Sequence, residues 1–272
     1  MKTVITVVVD NISSRDICGE WGLSLLVEYG DKKILADAGE SDLFAENLKK
    51  LGTDIRDIDY AVLSHAHHDH GNGMPRFFRE NRRAKFYVRE GTAEDCYSRK
   101  FIFMQYKGIP KNVMTEYADR IEIVGGDYEL CEGAWLIPHK TPGLEAIGKR
   151  EKMYRRTGSG WRVDDLSHEQ SLVLDTDKGL VIINSCSHGG VVNIINEVRT
   201  TFPDKHVYGI IGGFHLYNKT DDEVRDVARA IRKTGIEYVC TGHCTKEHAY
   251  GILKEELGDR IGLLRTGLVM EF

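Results

Sequence analysis

A dense group of histidines and carboxylates follows a short apolar run that ends at residue 64. Four candidate metal ligands fall within six positions: His65, His67, Asp69 and His70. Neutral imidazole and carboxylate are ligands that zinc, iron and manganese accept. Burying four such side chains beside glycines is costly unless a partner compensates them, and a metal ion is such a partner. The group therefore predicts a metal site, with a solvated polar loop as the alternative, and His68 is expected to point away.

Three further histidines stand in loops that contain or adjoin glycines, each after an apolar run that is predicted to be a strand. They are His188 after 180–184, His215 after 207–211 and His243 after 236–240. Because ligand loops at the strand ends of an α/β protein share one face, these histidines are expected beside the first group. His188 is predicted to be a third metal histidine. For His215 we predict substrate contact or proton transfer, while metal ligation and a structural role stay open.

The elements between these loops alternate between strands and helices, which predicts an α/β fold. Helical spacing of apolar residues predicts helices over 191–200 and 221–234, and the runs 23–28 and 33–36 predict a hairpin. No repeat, low-complexity tract or flexible linker divides the sequence. Residues 1–272 are therefore predicted to form a single domain.

The stretch 89–160 is less regular than the rest and is predicted to be a lid or insertion over the metal face. Basic side chains in this stretch are candidates for binding an anionic substrate. Four of them stand out: Lys100, Lys107, Arg155 and Arg156. A solvated surface is the alternative for these residues, since long cations are mostly exposed.

Composition limits the partners that the sequence predicts. A net charge of -5 gives no sign of nucleic-acid binding. The apolar run at residues 1–10 is too short for a secretory signal, and no segment approaches the ~20 apolar residues of a membrane helix. We therefore expect a cytoplasmic protein with a small-molecule substrate and without nucleic-acid or membrane partners. The oligomeric state stays open.

The motif H-x-H-x-D-H at residues 65–70 resembles the signature of the metallo-β-lactamase superfamily. This resemblance implies a four-layer αββα sandwich of the metallo-β-lactamase type. It extends to 34–39, where Asp37 would orient a ligand histidine from behind. By the same resemblance, His243 would be the last metal histidine.

The sequence departs from this resemblance at one position. Many members carry a bridging aspartate before the last histidine, whereas here the run 180–184 is followed by Cys186 and His188. Cys186 could ligate a metal in that place, or solvent could form the bridge between the metals. A small buried thiol that packs behind the ligands is the favoured interpretation.

The resemblance also implies two divalent metal ions, with zinc favoured and manganese or iron as alternatives. Two ligand sets are expected: His65, His67 and His188 for the first metal, and Asp69, His70 and His243 for the second. The second metal is expected to be the weaker one, because the bridging aspartate is missing. Asp69 and His215 are predicted to take part in catalysis.

Three functions stay open. A hydrolase that uses metal-activated water on a small anionic, possibly phosphorylated, substrate is favoured. The loops around Cys186, His215 and Cys244 resemble a branch named after dihydropterin ribofuranosylaminobenzene phosphate synthase, which implies a pterin-diphosphate-dependent transferase as the alternative. A non-catalytic ligand-binding protein is the third. An oxygen-reducing diiron role is disfavoured, because it goes with a fused flavin domain and a further acidic ligand, and the sequence shows neither.

Overall fold

The apolar strands of the chain pair into two large sheets in the computed structural model, which describes residues 2–272. With strands numbered along the chain, the first sheet has the order β18 (Val269–Glu271), β1 (Thr3–Val9), β2 (Ser24–Tyr29), β3 (Lys32–Ala36), β4 (Tyr60–Val62), β5 (Phe86–Arg89) and β8 (Ile121–Val124). The second has the order β17 (Ile261–Leu263), β16 (Tyr238–Thr241), β15 (Val207–Gly213), β14 (Gly179–Cys186), β13 (Gln170–Thr176), β10 (Ala134–Pro138) and β9 (Tyr128–Cys131).

The inner faces of these two sheets form one apolar core. Val27 and Ile34 of the first sheet belong to the same buried cluster as Leu172, Leu174 and Ile183 of the second. Each such side chain stabilises the fold by about 1.5–3 kcal/mol when it leaves water. Apolar side chains alternate along each strand, and the sheet faces that carry them therefore pack against each other.

Within the described residues 2–272, eight α-helices connect and cover the sheets: α1 (Leu43–Lys50), α2 (His68–Gly71), α3 (Met74–Glu80), α4 (Val113–Glu116), α5 (Glu145–Arg150), α6 (Val191–Thr201), α7 (Asp221–Thr234) and α8 (Lys246–Leu257). Residues of α1 and α3 share a buried cluster with the first sheet, and residues of α6, α7 and α8 share one with the second. The predicted αββα layering is therefore confirmed. No helix within residues 2–272 is both long and apolar enough to cross a membrane.

Helices α7 and α8 differ in how well the sequence marks them. Thr220 and Glu223 form a reciprocal capping box at the start of α7, and Gly235 ends it with a left-handed backbone, so the predicted helix 221–234 is confirmed. Helix α8 was not predicted from the sequence. Its interior contains Gly251, which weakens the helical signal, and packing against the second sheet outweighs that cost.

The segment 89–160 is divided in the structure. Residues 121–138 supply β8 to the first sheet and β9 and β10 to the second. The remainder contributes to a separate four-stranded sheet with the order β12 (Gly160–Val163), β11 (Met153–Thr157), β6 (Asp95–Lys100) and β7 (Phe103–Tyr106). The separate four-stranded sheet therefore uses only part of the predicted insertion 89–160, and its last strand continues beyond residue 160 to Val163.

Candidate metal centre

The predicted ligands lie at the ends of strands from both sheets. The 65–70 group follows β4, His188 follows β14 and His243 follows β16. Several residues of this edge have a positive φ without being glycine: Asp37 (62°), His215 (51°) and His243 (47°). Such a conformation costs about 1–3 kcal/mol per residue and persists where the surrounding structure enforces it.

Three imidazoles form what we call the first triad: His65, His67 and His188. Their nearest nitrogens all lie within 4.8 Å of one another. The Nε2 atoms of His65 and His188 are 3.3 Å apart. Two nitrogens bound to one tetrahedral zinc lie about 3.3 Å apart, given Zn–N bonds of about 2.0–2.1 Å. The first triad therefore fits a metal ion.

Asp69, His70 and His243 form the second triad. The Nε2 atoms of His70 and His243 are 3.2 Å apart, and Asp69 Oδ2 lies 3.4 Å from His243 Nε2 and 3.8 Å from His70 Nε2. Two imidazole nitrogens and one carboxylate oxygen thus converge on one point. This donor set also suits a divalent metal.

The Asp37 carboxylate lies behind His70, as predicted. Its Oδ2 accepts hydrogen bonds from His70 Nδ1 at 2.7 Å and from Ser64 Oγ at 2.6 Å, and its Oδ1 accepts from the Ser64 amide at 2.7 Å. A proton held on Nδ1 leaves Nε2 of His70 free to coordinate. The contact therefore orients the ring towards the second triad.

Two residues that hold His243 were not predicted from the sequence. Asp10 Oδ2 accepts from the His243 amide at 2.9 Å, and Asn11 Oδ1 lies 3.2 Å from His243 Nδ1. Burial raises the pKa of Asp10 to about 6, although the nearby His243 opposes the rise. Both residues follow the end of β1, so the strand-end signal that identified the histidines was also present here.

Burial and crowding keep the first triad neutral. Burial, together with the neighbouring imidazoles, holds the pKa of His65 and His188 well below the usual range. Burial also lowers the pKa of His67 to about 3. Burial works against ionisation of Asp69, but His70 and His243 hold its pKa well below the usual range. Neutral imidazole and ionised carboxylate are the forms that bind metals.

Both triads open into one cavity of about 170 Å³. His215 lines it, with its ring centroid 4.2 Å from that of His188. His68 also lines it and does not point away as expected, and its Nδ1 lies 3.4 Å from Glu40 Oε1. The small sheet contributes Tyr97, Ser98 and Met153 to the wall. A wider hollow of about 610 Å³ beside α1 contains none of the predicted site residues.

The four basic candidates separate in the structure. Lys107 lines the cavity, whereas Lys100, Arg155 and Arg156 do not. Arg155 is fully buried and pairs with Glu94 at 2.5 Å and Asp165 at 2.8 Å. Its assignment as a substrate contact is therefore corrected to an internal ion pair.

The other two basic candidates face away from the cavity for different reasons. Arg156 stacks over the Trp161 ring at 5.7 Å. Lys100 is an exposed residue at the end of β6, where the hairpin to β7 turns. Successive side chains of β11 point to opposite faces of the small sheet, which explains why Arg155 is buried while its neighbour Arg156 is exposed.

A buried pair behind His67 was also missed. His168 Nε2 lies 3.1 Å from Asp164 Oδ2, and its Nδ1 accepts from the Ala66 amide at 3.2 Å. The His168 ring centroid is 5.5 Å from that of His67. His168 precedes a strand, so the strand-end pattern could not identify it.

A second missed group supports the loop that carries His188. His139 Nδ1 lies 3.0 Å from Glu197 Oε2, and its Nε2 lies 3.1 Å from Glu169 Oε1. The ring packs so closely on Gly189 that a Cβ there would lie 2.3 Å from it. The loop position next to His188 therefore requires glycine.

Comparison with known proteins extends these observations. Residues 22–195 match the model of the metallo-β-lactamase superfamily. The 7,8-dihydropterin-6-methyl-4-(beta-D-ribofuranosyl)-aminobenzene-5'-phosphate synthase of Methanocaldococcus jannaschii is 28% identical, covering 92% of this chain and 90% of its own. The structure of Tm1679, a metal-dependent hydrolase of the β-lactamase superfamily, matches with a TM-score of 0.85 and 29% identity over 99% of both chains. A diphosphatase from the PhnP family, 18% identical with a TM-score of 0.57 over 100% of this chain and 98% of its own, supports the fold alone.

Proposed function

The chain belongs to the metallo-β-lactamase superfamily, and on that premise we propose that it is a dinuclear metal-dependent hydrolase of a small anionic substrate. One observation carries the proposal: two triads of side chains that are able to bind a metal converge at the base of a single cavity. Divalent metals bound there, with zinc favoured, would act as Lewis acids and lower the pKa of water towards ~7.

The side chains around the triads suit an anion. The Lys107 ammonium is a point charge on the cavity wall, and Lys246 lies 5.0 Å from the ring of Trp21 at the rim. We assign Lys107 to charge recognition of the substrate. The small sheet, through Tyr97 and Met153, is proposed to act as the lid that sets substrate choice.

His215 is proposed to contact the substrate or to transfer a proton. It faces the cavity, where its ring contacts the Cys186 sulfur and the rings of His188 and Tyr217. An imidazole that faces the cavity can give a proton to a leaving group. Asp69 would act differently, by holding the second metal.

The experiment that tests the hydrolase proposal compares metal-free and zinc-loaded protein on phosphomonoesters, phosphodiesters, lactones and carboxylic esters. We expect turnover with water alone as co-substrate, only in the loaded protein. Lys107→Ala should raise KM for the best anionic substrate by about 10-fold, and the matched Lys100→Ala should not. Absence of turnover on the whole panel would favour a non-catalytic ligand-binding protein.

A synthase is the second candidate, and the match to the archaeal synthase along nearly the full length of both chains favours it. In that case a diphosphate would leave while an amine attacks. The assay is consumption of a dihydropterin diphosphate with and without an aryl amine ribose phosphate. A requirement for the amine would replace the hydrolase proposal, whereas consumption in water alone would retain it.

The proposed setting is cytoplasmic, with a small-molecule substrate and without nucleic-acid or membrane partners. The net charge of -5 supports the exclusion of nucleic acid. A filter-binding assay with duplex DNA and single-stranded RNA at low salt tests it. Retention of either nucleic acid would contradict this part of the proposal.

A further inference from the structure

The sulfur atom of Cys186 lies between the two triads. It groups with a nitrogen of His65 and a nitrogen of His70, one from each triad, with all three atoms within 4.8 Å of one another. Equally compact groups join the same sulfur to His188 on one side and to His243 on the other. Cys186 is buried and lines the cavity. Its sulfur is thus within reach of ligand nitrogens from both metal positions.

We infer that the Cys186 thiolate is a ligand shared by the two metals, in addition to the six side chains of the triads. The inference rests on the two-metal part of the proposed function. It replaces the interpretation of Cys186 as a thiol that merely packs behind the ligands. Thiolate is a soft donor that zinc and cobalt accept readily, and Zn–S bonds of about 2.3 Å reach further than Zn–N bonds.

Metal binding by Cys186 requires only the loss of its thiol proton. The S–H bond of Cys186 breaks, metal–sulfur bonds form, and the proton leaves to solvent through the open cavity. No oxidant or reductant takes part. One negative charge is added between two dications, which lowers their mutual repulsion.

The second thiol at this site, Cys244, is placed to support Cys186. The two Sγ atoms are 2.8 Å apart, and Cys244 Sγ also accepts the His215 amide at 3.2 Å. A Cβ on Gly213 would lie 2.5 Å from Cys244 Sγ, so glycine is required for this approach. Held in this way, the Cys244 sulfur packs directly against the Cys186 sulfur. We therefore treat Cys244 as a positioning residue.

The test uses the full-length protein reconstituted with Co²⁺, because a cobalt–thiolate bond gives a charge-transfer band in the near ultraviolet that does not depend on turnover. Wild type is compared with Cys186→Ala and Cys244→Ser. The matched control is Cys240→Ser, a buried cysteine of the core between the sheets. We expect the band in wild type, Cys244→Ser and Cys240→Ser, and its loss in Cys186→Ala. Metal content should fall from two ions per chain to about one in Cys186→Ala.

Cys186→Asp supplies a second, independent measurement, which also holds if Cys186→Ala folds poorly. A carboxylate can bridge two metals, so this variant should retain two cobalt ions per chain without the charge-transfer band. An unchanged band in Cys186→Ala or Cys186→Asp, or its loss in Cys244→Ser alone, would overturn the inference. Failure of the wild type to bind two metals would instead overturn the two-metal proposal itself.

Discussion

The imidazoles of the two triads differ in what lies behind them. In the second triad, His70 Nδ1 contacts the Asp37 carboxylate at 2.7 Å, and His243 Nδ1 contacts the Asn11 amide oxygen at 3.2 Å. In the first, Ser64 Oγ lies 2.8 Å from His65 Nδ1, while the buried Nδ1 of His188 has no hydrogen-bond partner within residues 2–272. The second triad is therefore oriented by polar side chains, and the first depends more on the packing of its loops.

This difference opposes the expectation that the second metal is the weaker one. That expectation rests on the missing aspartate after β14. Outer hydrogen bonds raise ligand basicity and fix ring orientation, and their loss costs about 10–100-fold in metal affinity. The second site therefore has a compensating source of affinity, and shared ligation by Cys186 would reduce the difference further.

The largest expected effect comes from removing a ligand. Asp69→Ala should empty the second site and leave the first filled, because Asp69 is the only carboxylate in the two triads. Turnover should fall by about 100-fold or more, since one of two Lewis acids is lost. Metal analysis by mass spectrometry, paired with the turnover assay, measures both quantities. Equal metal content and equal rates in the variant would show that the ligand assignment is wrong.

Removal of an outer carboxylate should have a smaller effect. Asp37→Ala should lower the affinity of the second metal by about 10–100-fold, because His70 loses the group that fixes its ring. Competition with a chromophoric chelator measures each affinity separately. Asp37→Asn is the matched variant and should lie between wild type and Asp37→Ala. A loss of affinity confined to the first metal would mean that Asp37 supports the first triad rather than the second.

Removal of Asn11, an uncharged residue that contacts His243, should lower the affinity of the second metal by less than removal of Asp37. Asn11→Ala removes the hydrogen bond to His243 Nδ1 and a second one, at 3.0 Å, from Asn11 Nδ2 to the His243 carbonyl. With about 1 kcal/mol per net hydrogen bond, the affinity of the second metal should fall by about 5–30-fold. The exposed Asn112→Ala serves as the control. No change in affinity would mean that the backbone alone holds His243.

The sequence predicted the α/β layering because alternating strands and helices leave a periodic signal, whereas the αββα sandwich and the division into two triads came from the resemblance to the metallo-β-lactamase superfamily. Strands that end in a glycine-containing loop with a histidine mark His188 and His243 directly. The supporting residues were harder to identify, because they contact the ligands only after folding. Asn11 and His243 are far apart in the chain, and His168 precedes its strand. Arg155 shows the reverse error, since its neighbours Glu94 and Asp165 could be recognised as partners only in three dimensions.

The smallest expected effect is a pH-dependent change in stability that comes from His139, which supports the first triad through the His188 loop. Although burial opposes its charge, contact with Glu169 and Glu197 raises the pKa of His139 to about 10. The charged ring therefore adds stability that is complete below pH ~6.5 and is lost as the pH rises towards ~10. The same contact lowers the pKa of Glu197 to about 2, so the contribution of Glu197 is lost only in acid.

Denaturant unfolding of metal-free protein between pH 7 and 10 measures this loss. We expect the free energy of unfolding of wild type to fall more steeply over this range than that of His139→Gln, which lacks the titrating ring. Although burial opposes the rise, the neighbours Cys244 and Asp69 raise the pKa of His243 to about 9, so both proteins share a titration from the second triad. The difference between the two slopes therefore isolates the group beneath the His188 loop. Parallel slopes would mean that His139 is not charged in the folded protein.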